Sequence, residues 1–393
     1  MKKLILAVAV STVLAAPALA EDVKIGVLLG FTGPIESLAP DMAAGAELAM
    51  KEVSDSGKLL GGAKVVPVRG DSTCTDAAAA SATAERMITA DKVSAIMGAD
   101  CSGVTTAVLQ NVAMANGVVM ISPSATSPAL STIKSDGLFF RTSPSDARQG
   151  EVLAQILKEK GVKSAALTYT NNDYGKGLAD SIKSFVEKSG AKITISAAHE
   201  DGKGDYSAEV GALAQAGGDA LIVAGYLDQG GKGIIQGALD AGAFKSFVLP
   251  DGMIGDSLPK AIGAKLNGSY GTIPGSDSPG AATYEEMVKK AGFKNGPYAA
   301  QSYDAAALIM LAMQAAKSSD SKALKDKVEM VANAPGEKIY PGELAKALEI
   351  LAKGGDIDYV GASAVELVGS RESAGSYREV LIKDGKVTTV KYR

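Results

Sequence analysis

Short β-branched runs alternate with helix-like stretches through most of this chain, and that alternation narrows the available folds more than any single motif. VKIGVLLG (23–30) has strand character and ends in glycine, and PDMAAGAELAMKEV (40–53) follows it with Met42, Leu48, Met50 and Val53 at roughly helical spacing. KVVPVRG, VSAIMG, GVVMIS, KSAALTYT, AKITISAA, DALIVAG and SFVLPDG repeat the first pattern, and segments such as GEVLAQILKEK and YGKGLADSIKSFVEKSG repeat the second. Such alternation builds mainly parallel sheets covered by helices on both faces, because a right-handed crossover must bring each strand back to the same sheet.

The order of the runs divides the chain. Strand and helix units fill residues 23–140, and a new series opens at Ser164. A length of 393 residues also exceeds what one core ordinarily serves, so two domains are expected. Extended passages at GLFFRTSPSDARQG, NGSYGTIPGS and IDYVGASAVEL would join two α/β lobes as a three-stranded hinge, with the helices 281–290, 298–317 and 341–353 between the last two passages. The expected division is residues 21–141 with 273–356 in one lobe, and 142–272 with 357–393 in the other. No short repeat of fixed period runs through the sequence.

In open α/β sheets a ligand lies beyond the carboxyl ends of the strands. Those ends carry polar, glycine-rich turns: FTGPIESLAPD, ADCSG, SPSATSP, YTNNDYG, AGYLDQGG and PDGMIGD. The location of the protein follows from its start. MKKLILAVAVSTVLAAPALA has two lysines, an apolar run and a small-residue ending, the pattern of a secretory signal cleaved after Ala20 (residues 1–20). No cysteine follows it to carry a lipid, so an exported, unanchored protein is expected. Loss of Lys2 and Lys3 moves the formal charge from −4 to −6, which does not suggest nucleic acid. In an oxidising compartment Cys74 and Cys101 are most simply one disulfide, with a free thiol or a metal site as the alternatives.

Counting removes most chemistry. The one histidine, His199, falls in SAAHEDGKGD and reads as a solvated turn residue, so a Ser-His-Asp arrangement has no support. One histidine and two paired cysteines leave no metal-ligand set, and no acidic turn has the spacing of a calcium loop. GYLDQGGKG lacks the lysine of a phosphate loop at the required position. What remains are hydroxyls, tyrosines and an aspartate at strand ends. Ser102, Ser124 and Thr126 stand where helices begin; free N–H groups and the positive end of the helix dipole can hold a carboxylate there, though the same residues could simply cap their helices. Asp251 in VLPDG could hold an ammonium group or be an ordinary turn aspartate, and Tyr174 and Tyr226 could line a cleft or pack. Together these groups suit a zwitterion.

The order of KIGVLLGFTGP, CSG, ISPSATSPAL, FFRTSPSDARQG, TNNDYGKGLA, AGYLDQGGKGIIQ, VLPDG and QSYDAAALI resembles, over nearly the whole chain, the periplasmic leucine/isoleucine/valine-binding proteins, the type I solute-binding subunits of ABC importers. The resemblance implies the type I periplasmic binding protein fold, two Rossmann-like α/β lobes joined by a three-stranded hinge, and a monomer in the periplasm. It implies that Ser102, Ser124, Ala125 and Thr126 hold a ligand carboxylate, that Tyr174 and Tyr226 come from the other lobe, and that Asp251 meets the α-ammonium. It further implies a membrane permease and ATPase as partners, no cofactor and no enzymatic step. Two departures bear on specificity. The ammonium partner is Asp rather than Glu, and the loop GPIESLAPD has no aromatic, which leaves Leu38 or Ser37 as lining. A branched-chain amino acid is the default ligand; a larger amino acid, an ω-amino acid or another small carboxylate is the alternative, as is a sensing rather than a transporting role. A secreted hydrolase or lyase is disfavoured by the missing histidines.

Overall fold

The computed structural model describes residues 21–393 apart from residue 370; the expected signal segment 1–20 lies outside the described residues. Five strands open the chain: β1 (Val23–Leu29), β2 (Val65–Asp71), β3 (Ala95–Gly98), β4 (Met120–Ser122) and β5 (Phe139–Arg141). Five more follow: β6 (Ser164–Thr170), β7 (Lys192–His199), β8 (Ala220–Ala224), β9 (Phe247–Leu249) and β10 (Tyr270–Pro274). The remainder are β11 (Glu337–Ile339), β12 (Ile357–Tyr359), β13 (Leu367–Val368), β14 (Glu372–Ser373), β15 (Tyr377–Lys383) and β16 (Lys386–Tyr392).

The strands form two seven-stranded sheets, ordered β13-β14-β5-β4-β3-β1-β2 and β16-β15-β10-β9-β8-β6-β7, and β11 pairs with β12 in a separate parallel ribbon. Each of the apolar runs read as strands from the sequence is a strand here. β3, β4, β5, β8, β9 and β10 are buried at every position, as expected where helices cover both faces of a sheet. One covering helix, Ala299–Ala316, is buried almost all round, so it runs through the first lobe's interior rather than along its surface. It packs on the helix Ala39–Ser56 so closely that a β-carbon at residue 45 would fall 2.2 Å from the carbonyl oxygen of Ala299, and only glycine fits there.

The chain passes between the sheets three times. The first passage follows β5 and leads to the helix Asp146–Glu159, the second follows β10 and leads to the helix Pro279–Ala291, and the third joins β14 to β15. The third differs from the sequence reading. IDYVGASAVEL does not cross: it supplies β12, which pairs with β11, and the start of β13, which pairs with β14. Glu372 of β14 pairs with Arg141 of β5, and the two side chains form an ion pair, so the chain returns to the first sheet before crossing near Ala374–Ser376. The expected boundary at residue 357 is therefore too early, and the one at residue 273 falls inside β10.

Cys74 and Cys101 are joined in a disulfide, with their α-carbons 5.1 Å apart, which ties the turns at the ends of β2 and β3 together. His199 corrects its sequence reading. It ends β7 and is 1 % exposed, with Nδ1 bonded to the hydroxyl of Thr168 at 2.8 Å and Nε2 without a partner. Burial lowers its pKa to about 4, so it is neutral at physiological pH.

Candidate functional site

The carboxyl ends of the two sheets face each other across a narrow cavity that is nearly closed. Leu38, Ser102, Ser124, Tyr174, Tyr226 and Asp251 all line it. Ala125 and Thr126 are buried beside it and are not part of its wall, although the hydroxyl of Thr126 is buried without a partner. Four lining side chains, Ile35, Met42, Asp100 and Tyr298, were not singled out in the sequence.

The first lobe's wall is made by the turns after β3 and β4. The helix Ser102–Val108 begins at Cys101 with no side chain capping it, so its first-turn N–H groups are not taken by a local cap. Ser102 is its first residue, and its Oγ accepts from the N–H of Ser127 at 3.1 Å. Ser124 donates to the carbonyl of Asp100 at 2.9 Å, which holds the second turn against the first. Behind them Arg141, 1 % exposed, donates to the carbonyls of Ala125 and Ser127, each at 2.9 Å. The serine segment is thus fixed from the buried side by a guanidinium that never reaches the cavity. Asp100 accepts from the N–H groups of Gly30 at 2.6 Å and Cys101 at 3.1 Å and from the hydroxyl of Ser72 at 2.8 Å. Those bonds join the turns after β1, β2 and β3. Burial raises the Asp100 pKa while these donors oppose the shift.

The second lobe's wall is built on Asp251, 2 % exposed in the turn after β9. Tyr174 donates to its Oδ1 at 2.7 Å, and Tyr298 donates to Oδ2. With its amide turned so that nitrogen faces the carboxylate, Gln149 donates to Oδ1 at 2.9 Å and accepts from the N–H of Asp251 at 3.2 Å. Gly252 lets this turn close down, since a β-carbon there would lie 2.6 Å from the Gly225 carbonyl and 2.7 Å from the Tyr174 hydroxyl. Tyr174 and Tyr226 stack with ring centroids 5.2 Å apart.

The electrostatics of this wall are set by burial. It pushes the Asp251 carboxyl up from the usual carboxylate range, and the donors from Tyr298 and Tyr174 pull it back. Asp146, wholly buried with neither carboxyl oxygen hydrogen-bonded, is pushed well above that range by burial and by the neighbouring Asp251. Of this coupled pair Asp251 has hydrogen-bond donors on both oxygens and Asp146 on neither, so Asp251 is the better stabilised of the two as an anion. Burial and the Asp251 charge raise Tyr174 and Tyr298 well above the ordinary phenol range, so both remain donors.

The lobes touch around this cavity. Ser37 N–H donates to Asp228 Oδ2 at 3.0 Å, the N–H of Asp228 donates to the Pro34 carbonyl at 3.1 Å, and Ser127 Oγ donates to the Asp173 carbonyl at 3.0 Å. The arrangement is closed, with donors on one wall and a buried carboxylate on the other. The two walls are complementary in charge to the two ends of a small zwitterion.

The model of a family described as periplasmic binding protein matches residues 22–337. The Leu/Ile/Val-binding protein homolog 1 of Brucella suis is 33% identical over 317 residues, 78% of this chain and 83% of that protein. Among solved structures, a leucine binding protein of Thermotoga maritima superposes with a TM-score of 0.80 at 22% identity, covering 94% of this chain and 98% of its own. A solute binding protein of an ABC transporter from Rhodopseudomonas palustris, in complex with p-hydroxybenzoic acid, gives 0.77 at 19% identity, with 95% and 97% covered.

Proposed function

This chain belongs to the periplasmic binding protein family, and we propose that it is the solute-binding subunit of an ABC importer, capturing an aliphatic α-amino acid between its lobes. Its fold is the type I periplasmic binding protein fold. The lobes of this reading are residues 21–141 with 279–373 and residues 146–274 with 377–393, and the protein works in the periplasm after losing its signal. Among the described residues no helix is long and apolar enough to cross a membrane.

The opposition of Ser102 and Ser124 to Asp251 carries the reading. The ligand carboxylate meets the serine hydroxyls and the first-turn N–H groups of the helix Ser102–Val108, where the dipole favours an anion. Thr126 and Ala125 support that turn from behind. The ammonium meets Asp251, and Ile35, Leu38 and Met42 receive an aliphatic side chain. No bond of the ligand is made or broken: ligand joins the walls, the lobes close, and a permease with its ATPase takes up the closed form. A ligand without an ammonium would leave the buried Asp251 charge without a cation, a cost of about 1 to 3 kcal/mol or more.

The R. palustris neighbour's p-hydroxybenzoic acid gives a second reading, a carboxylate with no ammonium. A thermal-shift screen against leucine, isoleucine, valine and p-hydroxybenzoate separates the two, because a ligand that binds only the folded protein raises its melting temperature. Stabilisation by the amino acids is the expected result. Stabilisation by p-hydroxybenzoate alone would replace the amino acid reading.

A further inference from the structure

Behind the site, on the hinge side, a second and larger cavity opens, of about 400 Å³. Its walls come from both lobes: Gly275 and Ser276 of the second passage, Arg378 of β15, and Gln301 and Ser363 of the first lobe. Arg378 is unlike the other arginines described. Arg69, Arg86, Arg141, Arg148, Arg371 and Arg393 each pair with a carboxylate, whereas the Arg378 guanidinium makes no ion pair or hydrogen bond among the described residues. Its Nε is buried with no partner at all. Gln301, 3 % exposed, also lines the cavity, and its side-chain amide makes no hydrogen bond among the described residues. A buried guanidinium N–H without an acceptor is costly, and the half-buried side chain's planar fork, open to the cavity, matches a carboxylate.

We propose that this hinge cavity is a second binding site, and that it takes a small carboxylate on the Arg378 fork beside the Gln301 amide. Asp277 and Glu285 lie on the same wall, so a zwitterion whose ammonium turns toward them fits better than a bare anion. Tyr298 lines this cavity and the front one, and its hydroxyl donates to Asp251. An occupant behind the hinge therefore rests on a wall that shapes the front site, and any coupling between the two is reciprocal.

Amide and Arg Nε–Hε resonances of the isotope-labelled full mature protein resolve the two cavities in one titration. Glycine and sodium acetate are added to separate samples, with sodium chloride at matched ionic strength as the reference. Saturable shifts at Arg378 Nε–Hε, Gly275 and Ser276 support the site, provided Arg378→Gln weakens the affinity read at Gly275 and Ser276 by about tenfold, the cost of one lost charge-assisted hydrogen bond. Arg378→Lys keeps the charge and loses the fork, and serves if the Gln variant does not fold; an intermediate loss is expected. Glycine binding more tightly than acetate supports the contact with Glu285 and Asp277. Shifts that match those of sodium chloride, or that are the same in wild type and both variants, overturn the proposal. Shifts at Ser102 and Gly252 report the front cavity separately, so failure at one does not count against the other.

Discussion

The two walls of the inter-lobe cavity do opposite work with different materials. The first lobe presents short hydroxyls and backbone N–H groups on turns that are tied by the Cys74–Cys101 disulfide and braced by Arg141. The second presents one buried carboxylate held by phenol and amide donors, with no covalent tie in its lobe among the described residues. A rigid donor wall can be made ahead of time because backbone N–H groups tolerate water. A buried carboxylate cannot be left alone, so its wall is completed by donors from several elements, and Tyr298 among them comes from the first lobe. Closure therefore changes the second wall more than the first.

The comparison breaks most directly at Asp251. Asp251→Asn keeps the shape and an acceptor but removes the charge, and the affinity for the amino acid selected by thermal shift should fall by about 4 kcal/mol, roughly a thousandfold, as measured by calorimetric titration. An unchanged affinity would take Asp251 out of ligand recognition and leave the second wall merely structural.

The next test removes the covalent tie. Replacing Cys74 and Cys101 together with serine frees a loop with a sequence separation of 27. In the chain-entropy model that costs about 3.5 kcal/mol of stability, read as a lower urea midpoint. Ligand affinity should fall less than stability, because Arg141 still braces the serine segment. If binding disappears while the fold persists, the disulfide positions Ser102 more than the guanidinium does.

Acid should act on the second lobe instead. The folded-state pKa of His199 is lowered from 6.5 to about 4 by burial, so the unfolded chain binds a proton across that range before the native protein does. Its contribution is fully present above pH 6.5 and is lost as the pH falls toward 4, by up to about 3 kcal/mol. The buried carboxyls with raised pKa values act in the other direction, so the informative measurement is wild type against His199→Gln over the same pH range. The variant should lose less stability on acidification, and parallel curves would show that His199 is protonated at no cost.

These contrasts also show what the sequence carried. The strands, the cysteine pair and six of the lining residues could be read because each sits on a local signal: an apolar run, a turn after a strand, a serine or an aspartate at a helix start. Tyr298 carries its signal in NGPYAAQ, a turn opening a helix, but nothing local says that its hydroxyl reaches an aspartate 47 residues earlier. Gln149 and Arg141 act through partners on other elements in the same way. The third crossover was misplaced because IDYVGASAVEL is extended whether it crosses or pairs, and only the distant partners of β12, β13 and β14 decide between those outcomes. His199 was read as solvated because its neighbours Glu200 and Asp201 are charged, although period-two alternation in a strand can bury one residue between polar ones.

The smallest effect is expected at Ser102, and it tests whether the donor wall is shared among many groups. Ser102→Ala removes one hydroxyl from the cavity and one acceptor from the Ser127 N–H, while leaving Ser124 and the backbone N–H groups of the helix start in place. Because several neutral donors divide the carboxylate, losing one should cost about 1 kcal/mol, close to a fivefold weaker affinity in the same titration. The Asp251 wall has a single charge, so its loss cannot be divided. A Ser102→Ala defect as large as that of Asp251→Asn would mean that the first wall also depends on one side chain, and the asymmetry between the lobes would fail.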